Sequence, residues 1–330
     1  MSAQPQASIL SVELLSDRTR KPSALLLACS AEAPESLVTL AQHEDLRTLC
    51  GRFPCLVISD SVPPAIAQVL RESGCREVAA DSIYRAAQLT EQPLAAQVEW
   101  IAGNWYMAPP PKPVGNQAAS RTLALQLVQL VSADADTHEI EAVLRRDPAL
   151  SYHLLRLVNS LGMGMNRQIT SFSQAILILG RAQLRRWLNL MLFSARSGDE
   201  RSAMLLARVA ARARLMELLA KSAGLDKSGQ ESAFMAGMFS LLGILFGMPL
   251  EEVLRPLKIS DALQAALLTR EGEVGALLTL VETAEQPDVT ALAARLAALS
   301  LPASEFNLLN VQAHTWMLDV VRESAGGANA

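Results

Sequence analysis

The chain has 330 residues, half of them apolar, 19% charged and only 4% aromatic, with a net charge of −4. That length can supply two cores, and that composition excludes a disordered chain and favours a mainly helical one over an all-β one. The opening MSAQPQASIL lacks a basic segment followed by a long apolar run, so no secretory signal is evident and a cytoplasmic protein is expected.

The first 110 residues alternate between two periodicities. SILSVELL, SALLLACS, CLVISD and REVAAD are short apolar runs suited to strands, the last two ending on Asp60 and Asp81. Between them SLVTLAQHEDLRTLCG and PPAIAQVLRESG have helical spacing, each expected to stop at its Gly. Strand–helix–strand alternation implies a small α/β layer. Cys29, Cys50, Cys55 and Cys75 all fall in this quarter. In a cytosolic chain they read as reduced, mostly buried thiols, and their spacing lacks the paired ligands of a zinc site. MAPPPKPVGNQ then places four prolines in five residues, which marks 109–116 as a linker.

Beyond it the pattern is helical to the end. Asp136 with Glu139 resembles a capping box, and Asp147 is placed to cap a helix with Pro148 in its first turn. In GRAQLRRWLNLMLFSA, Leu184, Trp187, Leu188, Met191 and Leu192 form one apolar stripe, with Arg186 and Asn189 opposite. The stretch 233–250 carries no charge, but its three glycines and Pro249 suit a buried core helix rather than a membrane span. The expected fold is α+β, with a small α/β domain over 1–115 and an all-α domain over 116–330.

Charge is distributed unevenly. Residues 145–227 sum to +9, between flanks of −6 and −7. Each basic side chain is expected to be solvated or paired internally with the acidic flanks, since the chain as a whole is acidic and no nucleic-acid motif is present. The alternative is an anion- or partner-binding face made by Arg201, Arg208 and Arg212, which recur at i, i+7 and i+11.

The run RRDPALSYHLLRLVNSLGMGMNRQITSFSQAILILGRAQLRRWLNLML resembles the HDOD domain, a helical output module related to the HD phosphohydrolases. The likeness rests on Asp147, Pro148, Asn159, Ser160 and Gly180 together with their apolar neighbours, and extends over about 118–321. The arrangement is also similar to proteins that place an EAL domain, a cyclic di-GMP phosphodiesterase on a β/α barrel, ahead of HDOD. SVELLSD is similar to the first EAL strand, with Glu13 on its signature Glu, and AGNWYMAPPP to the last. Fewer than ninety residues separate them, so the resemblance implies a truncated barrel.

Both resemblances imply metal chemistry, and both motifs depart from it here. EAL hydrolysis needs several carboxylates, an Asn and a Lys. Glu13 and Asp60 are the remaining candidates, with Asp81 a third, and Glu13 is read as a strand-end carboxylate. The HD relatives bind metal through the His and Asp of LLHDIG, where this chain has Ser240 and Leu241 in MFSLLG. A Ser hydroxyl is a poor ligand for a divalent cation and Leu is none. No cofactor, no catalytic residue and no membrane or nucleic-acid partner is therefore assigned. The expected function is a non-catalytic signalling adaptor that binds another protein, the truncated segment serving docking or homodimerisation. The rival readings are a residual cyclic di-GMP or nucleotide phosphodiesterase and the anion-binding module. Binding of cyclic di-GMP without cleavage is left open.

Overall fold

The computed structural model describes residues 9–29, 40, 43–88, 93–109, 126–127, 129–130, 133, 135–144, 186, 189–190, 193, 199–257, 259–286 and 288–325. Among them, six strands form one sheet: β1 Leu10–Ser16, β2 Pro22–Cys29, β3 Cys55–Ile58, β4 Arg76–Val78, β5 Ile83–Arg85 and β6 Trp100–Ala102. Their order is β4-β3-β2-β1-β6-β5. β1 is antiparallel to both neighbours, whereas β2–β3–β4 and β5–β6 run parallel. Parallel pairing requires crossovers. Helices α1 Glu44–Arg52 and α2 Pro64–Glu72 lie on two of them, as the alternating sequence predicts. Pro64 starts α2 where its missing N–H costs nothing, and Gly74, at φ +102°, follows its end. Gly51, expected to stop α1, lies inside it; the helix ends one residue later against extended Phe53.

Alternation along β1 separates two apolar layers. Leu10, Val12 and Leu14 face a large core shared with the helices, while Leu15 joins Leu26, Leu56, Trp100 and Ala102 on the opposite face.

The helical part comprises α3 Thr137–Leu144, α4 Ser202–Ser222, α5 Lys227–Phe239, α6 Leu242–Phe246, α7 Leu250–Leu254, α8 Asp261–Leu268, α9 Gly272–Ala284, α10 Val289–Ala298 and α11 Ala303–Ala325. Side-chain caps fix three starts: Asp226, Ser260 and Asp288 accept from the N–H groups of Gly229, Leu263 and Ala291. α4 is the axis of the core. It packs against α5, α9, α11 and the sheet, and buries Met204, Leu205, Val209, Leu215 and Met216 around its circumference. Each such Leu or Met contributes about 1.5–3 kcal/mol relative to exposure. Gly237 sets the spacing, because a Cβ there would lie 2.6 Å from the Ala213 Cα.

The apolar stretch 233–250 is buried, as its composition predicts, from Ala233 through Phe239. It is not one helix. α5 ends at Phe239 with Ser240 as its cap, α6 begins after Leu241, and left-handed Gly247 ends α6. The face expected to be polar beside the Trp187 stripe is also interior: Asn189 is buried with Leu190 and Phe193. Arg186 keeps little exposure, held by Glu217 and Glu231 and stacked 4.3 Å over Phe234.

Sheet and helices are joined by polar contacts as well as by the shared core. The Leu10 N–H donates to Asn307 Oδ1 at 2.8 Å, and Gln312 donates to Asp45 at 2.8 Å. Arg52 pairs with Asp319. Residues 110–116 of the proline-rich linker lie outside the described residues.

Candidate functional site

A polar cluster lies where β1 meets α4, α9 and α11. At its centre is Arg212 of α4, 4% exposed, whose position on the helix turns it inward. Its Nη1 donates to Ser240 Oγ at 2.7 Å, and its Nε donates to Glu285 Oε1 at 2.9 Å. Ser240 in turn donates to the Gly237 carbonyl at 2.7 Å. One turn earlier, Arg208 Nε donates to the Tyr106 hydroxyl at 2.8 Å, and Nη1 lies 3.7 Å from Glu285. Glu282 bridges Arg212, at 3.7 Å, to Arg270, at 2.9 Å.

The electrostatics follow from burial and pairing. Desolvation works against the Glu285 carboxylate, but Arg212 and Arg208 outweigh it and hold its pKa below the ordinary value. Desolvation likewise opposes the Arg208 charge and is outweighed by Tyr106 and Glu285. Tyr106, completely buried, has its pKa raised by desolvation. His314 of α11 is pushed down to about 4, first by desolvation and then by Arg208, against the hydrogen bond of Nδ1 to the Asn310 carbonyl at 2.9 Å.

A cavity of about 30 Å³ opens among Val12, Leu14, Arg208, Arg212, Glu285 and His314. That is room for a water or two. Pockets for drug-sized ligands run to roughly 300 Å³ or more.

The three arginines that the alternative reading places on an anion- or partner-binding face are turned inward, against that alternative. Arg201 is wholly buried; its Nη2 meets Asp199 at 2.8 Å and its Nη1 donates to the Ala108 carbonyl, tying the end of the sheet region to the start of α4. Arg208 and Arg212 are committed to Tyr106, Ser240 and Glu285. Helical spacing aligned these side chains but could not say what covers them. The described basic charge in 145–227 is in large part paired internally, Arg186, Arg208 and Arg212 with acids of the C-terminal flank.

Ser240 and Leu241 occupy the junction of α5 and α6. Leu241 is buried and apolar, and Ser240 is engaged by a guanidinium. These side chains do not fit a divalent cation: one hydroxyl, one hydrocarbon and a fixed positive charge are the opposite of a carboxylate–imidazole set. Among the described residues, no group of three or more His, Cys, Asp or Glu side chains is placed to hold a metal ion.

Glu13, on β1, accepts from the Gly103 N–H at 3.0 Å and from Arg85 Nη1 at 3.1 and 3.0 Å. Gly103 has φ +95°, and a Cβ there would stand 2.4 Å from the Ala86 carbonyl oxygen. Only glycine lets β6 turn toward Glu13 at this approach. Asp60 is exposed in the turn after β3, at φ +62°. Two strand spacings separate it from Glu13, more than about 9 Å, so the structure does not bring the two carboxylates together. Asp147, Pro148, Asn159, Ser160 and Gly180 lie outside the described residues. Glu282, Glu285 and His314 carried no motif in the sequence, and Tyr106 lay in the EAL-like stretch AGNWYMAPPP without being singled out. The one signal pointing to their acids was the charge contrast between the basic middle and the acidic C-terminal flank.

With the fold and cluster in view, the class is defined by comparison with known proteins. Residues 120–279 match the HDOD domain family, so the chain is an α+β protein carrying an HDOD domain; the match includes Arg212, Ser240 and Leu241. Among particular relatives, it is 31% identical over 201 residues to the "Cyclic di-GMP phosphodiesterase CdgJ" of Vibrio cholerae, covering 61% of this chain and 46% of that protein. It is 29% identical over 161 residues to YuxH of Bacillus subtilis, covering 48% of this chain and 39% of that protein. The chain thus spans less than half the length of both curated relatives. A solved structure described as a putative phosphohydrolase from Shewanella amazonensis SB2B aligns with a TM-score of 0.41 at 14% identity, over 61% of this chain and 93% of that one.

Proposed function

We propose that the protein is a non-catalytic signalling adaptor whose HDOD helices and truncated EAL-like sheet act together as a protein-binding body. One observation carries the reading. The Arg212 guanidinium, anchored on Glu285, donates to Ser240, at the position where HD relatives keep a metal-binding His. An internal cation satisfies the acid there, and a fold kept without its ligand chemistry suits binding rather than turnover. Glu13 meeting Gly103 supports the descent of the sheet from an EAL barrel. Its carboxylate is occupied by a backbone N–H and Arg85.

Relatedness to a protein named as a cyclic di-GMP phosphodiesterase favours a second reading, residual hydrolysis of that nucleotide. Incubating the purified protein with cyclic di-GMP and Mg²⁺ or Mn²⁺, and separating products by chromatography, distinguishes the two. The adaptor reading expects intact cyclic dinucleotide after hours; linear product formed in proportion to protein overturns it. Co-purification of a tagged form from its host is expected to retain a protein partner in fixed ratio.

A further inference from the structure

Three of the four cysteines, separated along the chain, are gathered below the sheet. Cys50 sits near the end of α1, Cys55 opens β3, and Cys75 follows the turn that ends α2. The Cys50 and Cys75 sulfurs are 3.6 Å apart, and Cys55 neighbours Cys50. Gly74 allows the approach: at φ +102° it closes α2, and a Cβ on it would stand 3.1 Å from the Cys50 Cβ. Cys50 is half-buried and reachable from solvent, whereas Cys75 and Cys55 are buried behind it.

We propose that Cys50 and Cys75 form a peroxide-sensing dithiol that closes to a reversible disulfide. Side-chain rotation has to bring the sulfurs from 3.6 Å to the ~2.05 Å of a bond. In the first step the Cys50 thiolate attacks one oxygen of hydrogen peroxide. The O–O bond breaks, and the departing hydroxide takes a proton and leaves as water, giving a Cys50 sulfenic acid. In the second step the Cys75 sulfur attacks the Cys50 sulfur; the S–OH bond breaks, and the hydroxyl leaves with the Cys75 proton as a second water. Two thiols and one peroxide thus become one disulfide and two waters.

The surroundings match these roles. Cys50 is the half-buried member and the one peroxide reaches first, so it is the nucleophile, and its cysteine neighbours Cys55 and Cys75 hold its pKa below the ordinary thiol value. Burial pushes Cys29, outside the cluster, up to about 11, which leaves it a built-in control. The bond would fasten α1, which reaches α11 through Arg52–Asp319 and Gln312–Asp45, to the end of α2.

The test uses the full chain. One equivalent of hydrogen peroxide is expected to lower the count of free thiols, measured after denaturation, from four to two, and a dithiol reductant to restore four. Trypsin places the three clustered cysteines in separate peptides, 48–52, 53–71 and 72–76, so mass mapping should find 48–52 linked to 72–76. In Cys75→Ser, a dimedone adduct should appear on Cys50, at least about tenfold faster than on Cys29. Should that variant fail to fold, the wild-type linkage map decides alone. Four thiols surviving the peroxide, a bond through Cys29 or Cys55, or first oxidation at Cys29 overturns the proposal.

Discussion

Arg212 on α4 donates to Ser240 at the end of α5 across 2.7 Å, and the same guanidinium holds Glu285 just beyond α9. One side chain therefore joins three segments of the helical part at a place where water is nearly excluded. Replacing a buried cation while its carboxylate is left uncompensated costs about 3–5 kcal/mol; Arg208, 3.7 Å from Glu285, keeps part of the compensation and places the cost at the lower end. Arg212→Met is expected to lose stability of that order in urea unfolding. Arg212→Met combined with Glu285→Leu should lose less than the sum of the single changes. Additivity of the two would show that the pair is not coupled.

Glu13 separates geometry from charge. Glu13→Gln keeps an oxygen for the Gly103 N–H and gives up an ion pair to Arg85, whose side chain is 56% exposed, so a loss under about 1 kcal/mol is expected. Glu13→Leu removes the acceptor and leaves that N–H without its partner, which costs about 1–3 kcal/mol. Amide hydrogen exchange at Gly103 should accelerate in the Leu variant and change little in the Gln variant. Equal exchange in both would place the control elsewhere.

Much of the sheet region was legible because its signals are local. Pro64 at a helix start, Gly74 at its end and the alternation of Leu10, Val12 and Leu14 need no distant partner to be read. The cluster was not legible for the opposite reason. Arg208 and Arg212 meet Glu285 more than seventy positions later, and Arg208 meets Tyr106 about a hundred positions earlier. Periodicity gives a helix face its direction but does not say what lies against it, so a binding face made by the same three arginines stayed open as an alternative. The break at Ser240 and Leu241 was hidden because both flanking helices are apolar, and the buried run continues through the bend.

Two glycines in helices should respond in opposite directions to alanine. In Gly237→Ala the new Cβ would be 2.6 Å from the Ala213 Cα, a backbone atom that cannot rotate away. α5 must then move off α4, and overpacking of this kind costs about 1–3 kcal/mol. Gly51 lies in helical conformation, and a Cβ added there would meet nothing within 4 Å. Gly51→Ala should therefore gain about 0.5–1 kcal/mol from reduced chain entropy in the unfolded state. Thermal melting of the two variants against the parent decides it; a stable Gly237→Ala would mean that the α4–α5 packing is looser than described.

His314 gives the fold a pH dependence with a definite sign. Its pKa falls from 6.5 to about 4 on folding, chiefly by desolvation and secondarily through Arg208, while Glu285 pulls weakly the other way. Between those values the unfolded chain binds a proton that the folded one refuses, so stability rises with pH across the window. The contribution is present in full above the unfolded value and is lost as pH falls from about 6.5 toward 4. Glu285, whose pKa folding lowers from 4.5, adds a loss of the same sign only below that value. The urea midpoint should thus begin to fall near pH 6, well before carboxylates titrate. His314→Gln can still donate toward the Asn310 carbonyl without taking up a proton, and it should flatten the decline between pH 6.5 and 4.5 while leaving the steeper fall below it. An unchanged profile in that variant would assign the early decline to a different group.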